Sequence, residues 1–143
     1  MTELLPQTGT SPLPRPDERS APYWDALRRG ELVLPRCAVC EALNHPWPDR
    51  CRVCGSPQLD WVPAGSGGHL FSWAVEERTV IPGLRPPYVI AQVTPDGCAE
   101  GEVRLIGTLL VADPSELAIG RPVRLVPTPV PGADVVVACY VLR

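Results

Sequence analysis

The stretch CAVCEALNHPWPDRCRVC, Cys37 to Cys54, decides how this chain is read. It holds two CxxC pairs with ten residues between them. A two-residue spacer turns the chain tightly enough for both thiolates of a pair to face one ion. Two such knuckles complete a tetrahedral four-thiolate site from Cys37, Cys40, Cys51 and Cys54, the preferred geometry of structural zinc. Protein sulfur then fills every position, which leaves none for water or substrate, so the site reads as structural rather than catalytic. Gly55 follows the second knuckle, where a residue free to take positive φ relieves the turn. Glu41 holds the equivalent place after the first knuckle and departs from that pattern. Rubredoxin-like iron and reduced, metal-free thiols are the competing readings. A ribbon of this size buries little apolar surface, so metal binding supplies much of its folding free energy. His45 lies between the knuckles, but four thiolates already satisfy the ion, and it reads as a surface or hydrogen-bonded histidine. Cys98 and Cys139 are single and remote, and Cys139 reads as an inert core residue.

Around this cluster the composition is that of a globular protein. The chain has 143 residues, 45% hydrophobic and 20% charged, which suits one domain with a small appended module. Nineteen prolines argue against long helices, because an internal proline removes a ladder donor and clashes with the preceding turn. The net charge of -3 advertises no polyanion partner. Every basic residue is arginine, so Schiff-base and Walker-type lysine chemistry are excluded. The first twenty residues lack a basic start and a continuous apolar core, and no run approaches a membrane span. A cytoplasmic location is expected. A reducing compartment also favours metal over disulfides for clustered cysteines.

Residues 1–16, with Pro6, Pro12, Pro14 and Pro16, are expected to form a flexible tail. Residues 17–30 are the helix candidate, with Ser20 as N-cap, Pro22 in the first turn and Gly30 as the stop. Residues 31–35 read as a short strand, and the zinc ribbon is expected over 31–60. Beyond it, Leu70–Glu77, Tyr88–Thr94, Val103–Val111, Pro122–Val126 and Val135–Leu142 carry strand patterns, separated by turn signals such as Pro95-Asp96-Gly97. Gly107 is expected to mark a bulge or bend. Ser115–Leu117 could form a helical turn. The fold class is therefore mainly β: an N-terminal helix, a four-cysteine zinc ribbon, and a five-stranded OB-fold barrel over 61–143.

This order of helix, ribbon and barrel resembles the acyl-CoA-associated zinc-ribbon/OB-fold family, long labelled a domain of unknown function. The resemblance spans about Asp17 to Val126 and rests on specific residues. They include Pro22-Tyr23-Trp24, Gly30-Glu31-Leu32, Leu34-Pro35-Arg36-Cys37, the four cysteines and Pro46–Arg50. Trp61, Gly65-Ser66-Gly67-Gly68, Ser72-Trp73, Pro87–Ala91 and Gly120–Val123 continue it. It implies a small companion of thiolase-superfamily enzymes, of aldolases that shorten steroid side chains, or of enoyl-CoA hydratases. Such a companion is non-catalytic, stabilises its partner and helps shape the CoA or acyl channel.

The residues agree that catalysis is not obvious: there are two histidines, His45 and His69, and no nucleophile elbow of G-x-S-x-G type. No catalytic residue is assigned. A companion role needs aromatic anchors, and Tyr23, Trp24 and Trp47 are the candidates for a partner interface. Arg36, Arg50 and Arg52 could contact a CoA phosphate through bidentate guanidinium bonds, or be solvated surface. Nucleic-acid binding is the alternative, since ribbons and OB barrels both do this, but the acidic balance disfavours it. Rubredoxin-like electron transfer is a third reading. The expected partners are thus a thiolase-like or aldolase subunit and acyl-CoA, with no nucleic acid and no membrane.

Overall fold

The structure, a computed structural model, describes residues 4–143. Element order is a helix α1 (Ala21–Arg28), then β1 (Val33–Cys37) and β2 (Leu59–Pro63), then β3 (Gly67–Glu76), β4 (Tyr88–Pro95), β5 (Leu105–Leu109), a 3-10 turn Pro114–Glu116, β6 (Pro122–Pro129) and β7 (Val136–Leu142). Strands β1 and β2 form an antiparallel pair that carries the cysteine knuckles, with Cys37 opposite Leu59. The other five strands close into a barrel in the order β3-β4-β5-β7-β6, antiparallel except for β5 and β7. This is the mainly β fold with a four-cysteine ribbon and a five-stranded OB barrel that the sequence implies. Among the described residues, no helix is long and apolar enough to cross a membrane.

The main core runs through all three parts. Leu70, Val93, Leu109, Val123 and Tyr140 fill the barrel, and Tyr23 and Leu27 of α1 join Leu32, Leu34 and Leu43 of the ribbon against them. Ribbon and barrel are therefore not separately packed. The carboxylate of Glu102, on the β4–β5 connection, accepts from the Leu43 amide at 2.9 Å and the Ala99 amide at 3.1 Å, which ties that connection to the ribbon loop. Strand β2 runs on to Pro63, so the ribbon's sheet crosses the boundary expected at residue 60.

Several expectations need correction. Helix α1 is shorter at both ends than the 17–30 segment, covering Ala21–Arg28. Ser20 does not cap it through its side chain. Pro22 removes one of the two amides such a cap would bind, and the Ser20 hydroxyl bonds Asp17 Oδ1 at 2.8 Å instead. The first strand lies at 33–37 rather than 31–35, because it continues into the first knuckle. The register shift in the barrel falls between Leu70 and Ser72 of β3, and Gly107 stays in regular register opposite Ala91. Gly107 is there for space: a Cβ would stand 2.7 Å from the Tyr140 ring.

The expected flexible tail is the largest correction; its first three positions, 1–3, lie outside the described residues. Leu5 is 1% exposed and packs with Val137, Cys139 and Val141 on the outer side of β7. Gln7 pairs with Leu84, and the Arg85 guanidinium donates to the Leu5 carbonyl at 2.9 Å. The apolar run of β7 is covered on both faces: Tyr140 is buried in the barrel with Val136, Ala138 and Leu142 half-buried beside it, and Val137, Cys139 and Val141 are buried on the side of this strap. Leu5→Ala is therefore expected to lower unfolding free energy by about 2 kcal/mol or more, as truncation of a buried leucine does. Denaturant titration checks this; a midpoint equal to wild type would return the segment to a loose tail.

Candidate metal centre

The two knuckles are wired alike. The Cys37 carbonyl accepts from Glu41 N–H at 3.0 Å, and the Cys51 carbonyl from Gly55 N–H at 2.9 Å. The Cys37 amide donates to Ala42 O at 2.9 Å, and the Cys51 amide to Ser56 O at 2.8 Å. The turn needs a left-handed residue after the second cysteine of each pair. Gly55 supplies φ 78° and Glu41 supplies φ 65°. Glu41 thus adopts the glycine conformation despite its side chain, at a cost of about 1 kcal/mol. The departure in sequence leaves the knuckle shape intact.

The four sulfurs lie within 4.8 Å of one another. Cys37 Sγ is 3.5 Å from Cys54 Sγ, and Cys40 Sγ is 3.6 Å from Cys51 Sγ. A tetrahedron with metal–sulfur bonds of about 2.3 Å has edges of about 3.8 Å, so the donor set fits one tetrahedral ion. Cys37 and Cys51 are buried, while Cys40 and Cys54 are exposed. Backbone amides face the buried sulfurs: Val39 to Cys37 at 3.4 Å, Cys40 to Cys37 at 3.5 Å, and Val53 to Cys51 at 3.4 Å. The Cys40 amide holds the Cys37 thiol below the usual range, and the Cys54 amide brings Cys51 down to about 6. Cys40 goes the other way, up to about 12: the Ala42 amide lowers it, but desolvation of the thiol within the cluster and the three neighbouring sulfurs outweigh that. Thiolates held this close repel one another, which is the electrostatic demand that a dication meets.

His45 stays outside the sulfur cluster. Burial, with a smaller effect from Arg52, lowers its pKa to about 4, against an ordinary value of 6.5. The native state therefore resists protonating it while the unfolded chain accepts the proton. Stability contributed by the neutral ring is present above pH 6.5 and is lost as pH falls towards about 4. The expected slope is up to about 1.4 kcal/mol per pH unit in that window. Comparing chemical denaturation of His45→Asn and wild type at several pH values checks it, since the variant should lack this part of the slope. Cys139 is buried and its thiol is pushed up to about 11 by that burial, as an inert core residue should be.

The aromatic residues gather beside the ribbon. Tyr23 meets Trp24 edge-on at 5.0 Å and Trp47 at 5.0 Å, and Trp47 meets Trp61 at 6.0 Å. Tyr23 is buried, whereas Trp24 and Trp47 are half-buried against the core. The arginines divide. Arg36 lines an open cleft with Glu41, Asp96 and Glu102. Arg50 donates to the Gly55 carbonyl at 3.2 Å and Arg52 to the His45 carbonyl at 2.7 Å, both on the second knuckle. One residue has no mark in the sequence: Asn44, 2% exposed, whose amide touches Cys51 Sγ. An asparagine in a Pro-rich loop reads as solvated, so only its burial reveals it.

Comparison with known proteins places these parts together. Residues 24–60 match the family model described as "ChsH2, rubredoxin-like zinc ribbon domain", and residues 61–128 match "ChsH2, C-terminal OB-fold domain". The chain is 36% identical over 126 residues to a probable enoyl-CoA hydratase alpha subunit of Thermomonospora curvata. It is 34% identical over 116 residues to the 3-oxo-4,17-pregnadiene-20-carboxyl-CoA hydratase alpha subunit of Mycobacterium tuberculosis. These matches cover 87% and 78% of this chain but only 38% and 34% of those relatives. Among solved structures, a chain of the "Ltp2-ChsH2(DUF35) aldolase" superposes with a TM-score of 0.77 at 28% identity, over 91% of this chain and 98% of that one. A DUF35 protein of unknown function from Sulfolobus solfataricus shares the fold, with a TM-score of 0.61 at 12% identity, over 88% of this chain and 86% of that one.

Proposed function

The chain belongs to the ChsH2 (DUF35) family of zinc-ribbon and OB-fold domains, and on that premise we propose that it is a non-catalytic accessory subunit of an acyl-CoA enzyme. Its partner in this reading is a lipid-transfer-type thiolase or steroid side-chain aldolase, which it stabilises and whose CoA or acyl channel it helps to shape. The observation that carries the reading is the near end-to-end match to the ChsH2 chain of an aldolase. One structural zinc on Cys37, Cys40, Cys51 and Cys54 completes it, supported by the sulfur spacing and the rubredoxin-like zinc-ribbon match. Closed four-thiolate coordination supplies shape and folding energy and offers substrate no position.

The aromatic cluster is the proposed partner surface. Trp24 and Trp47 keep part of each ring exposed, and Tyr23 packs behind them. For a CoA phosphate, Arg50 and Arg52 on the knuckle suit better than Arg36, whose cleft holds three carboxylates. A second reading, favoured by the two hydratase alpha subunits among the relatives, is a companion of an enoyl-CoA hydratase.

The test is co-expression with a tagged thiolase-like subunit. A stable heteromer with retro-aldol activity is expected, and no turnover by this chain alone. Robust retro-aldol cleavage or hydration by the single chain sinks the accessory reading. Hydration by a heteromer with a hydratase subunit selects the second reading. Trp24→Ala and Trp47→Ala, each checked for zinc and fold, should weaken association by about thirtyfold, equal to about 2 kcal/mol. Wild-type binding by both moves the interface to the barrel.

A further inference from the structure

Asn44 lies between the knuckles and is 2% exposed. Its Nδ2 donates to Ala42 O at 3.1 Å and to Cys51 Sγ at 3.6 Å, and its Oδ1 accepts from the Arg52 amide at 2.9 Å. Its own backbone amide donates to Pro35 O at 2.8 Å, on β1. The side chain therefore spans from the first knuckle's exit at Ala42 to the sulfur and backbone of the second. The amide can face only one way: reversed, its oxygen would oppose the thiolate and its NH2 would oppose the Arg52 N–H. A buried primary amide is costly unless bonded, and here both donors and the acceptor are used.

The knuckles, otherwise wired alike, differ here. Each buried sulfur faces two backbone amides, Val39 and Cys40 at Cys37 and Val53 and Cys54 at Cys51, but Cys51 Sγ alone also receives a side-chain amide. A dication held by four thiolates keeps a net double negative charge in a partly buried place. Each N–H aimed at a sulfur offsets part of that charge and fixes the sulfur's lone pairs. We propose that Asn44 is a positioning residue of the metal centre, orienting the Cys51 thiolate and locking the second knuckle to the first. The proposal rests on the four-cysteine metal reading given above.

Its test uses the full chain loaded with zinc. Asn44→Asp keeps the volume and the acceptor for Arg52 but sets a carboxylate against the thiolate. Asn44→Leu keeps the volume without charge. Competition with a chromogenic chelator should show zinc affinity falling by about 10–100-fold in both, with Asn44→Asp the weaker. In cobalt-substituted protein, the thiolate-to-metal charge-transfer band should move to lower energy in both variants, since the sulfur loses a donor. A lowered melting temperature with unmoved affinity and band would make Asn44 a loop support only and overturn the proposal. One measurement needs no variant. In wild-type protein carrying an NMR-active cadmium isotope, scalar coupling should reach the Asn44 side-chain amide proton across the sulfur. Coupling to the Val53 amide without any to Asn44 would also overturn it. A wild-type chain that takes up no zinc, cobalt or cadmium overturns the metal reading itself, and this proposal with it.

Discussion

Cys51→Ser is expected to drop zinc content from about one per chain to near zero and to unfold the ribbon, because a four-thiolate site loses a ligand. The magnitude comes from linkage: structural zinc contributes on the order of 10 kcal/mol to folding of small zinc modules. Cys51 is the buried sulfur that also anchors Asn44, so its loss frees both knuckles. The damage should pass beyond the ribbon. Leu32, Leu34 and Leu43 share one core with Leu70, Leu105 and Leu125 of the barrel, and unfolding the ribbon uncovers that core. Circular dichroism should therefore keep much of the barrel's β signal while the remaining transition melts earlier than in wild type. Chelation of the wild-type protein should reproduce both effects. Full zinc content with wild-type melting in Cys51→Ser would remove Cys51 from the ligand set.

Gly68→Ala should destabilise the barrel by about 3 kcal/mol or more, at the upper end for overpacking. Strand β3 pairs with β4 and, through Gly67, Gly68 and His69, also with β6, so this glycine run closes the barrel. A Cβ on Gly68 would collide with the Thr94 carbonyl oxygen and lie 3.0 Å from Val93 Cγ1. Gly67 meets the same limit against the Val123 carbonyl. The obstacle is strand backbone, which cannot swing away as a side-chain tip can. Against a typical domain stability of about 5–15 kcal/mol this is a large fraction, with a melting temperature lower by about 10 °C. Ala74→Ser, at an exposed position of the same strand, should stay within about 0.5 kcal/mol of wild type. A Gly68→Ala melting temperature equal to wild type would mean that β3 and its neighbours stand further apart than the structure shows.

Much of the candidate site is legible in the amino-acid sequence alone. The CxxC spacing names the four sulfurs that come within 4.8 Å, and Tyr23, Trp24 and Trp47 do share one cluster. The barrel strands are visible as apolar, β-branched runs between turn signals. The features that stay hidden have one character. Leu5, β2 and Asn44 look ordinary in their local windows, Gly107 stands out there for the wrong reason, and each matters for what lies across from it.

The reason is the range of the forces involved. A knuckle is dictated by residues two and three apart, and a turn by the φ its residue can take, so both are written in adjacent letters of the chain. Glu41 shows the margin of that rule: a turn determined by its cysteines pulls a non-glycine residue to φ 65°. Closure and burial depend instead on partners far along the chain. Leu5 is held beside Arg85, 80 residues away, and Glu102 grips Leu43 across 59. Asn44 becomes part of the metal centre only when the second knuckle folds over it. Local chemistry thus settles which atoms can hold the ion, while the packing of distant segments settles that the tail is a strap and that ribbon, helix and barrel share one core.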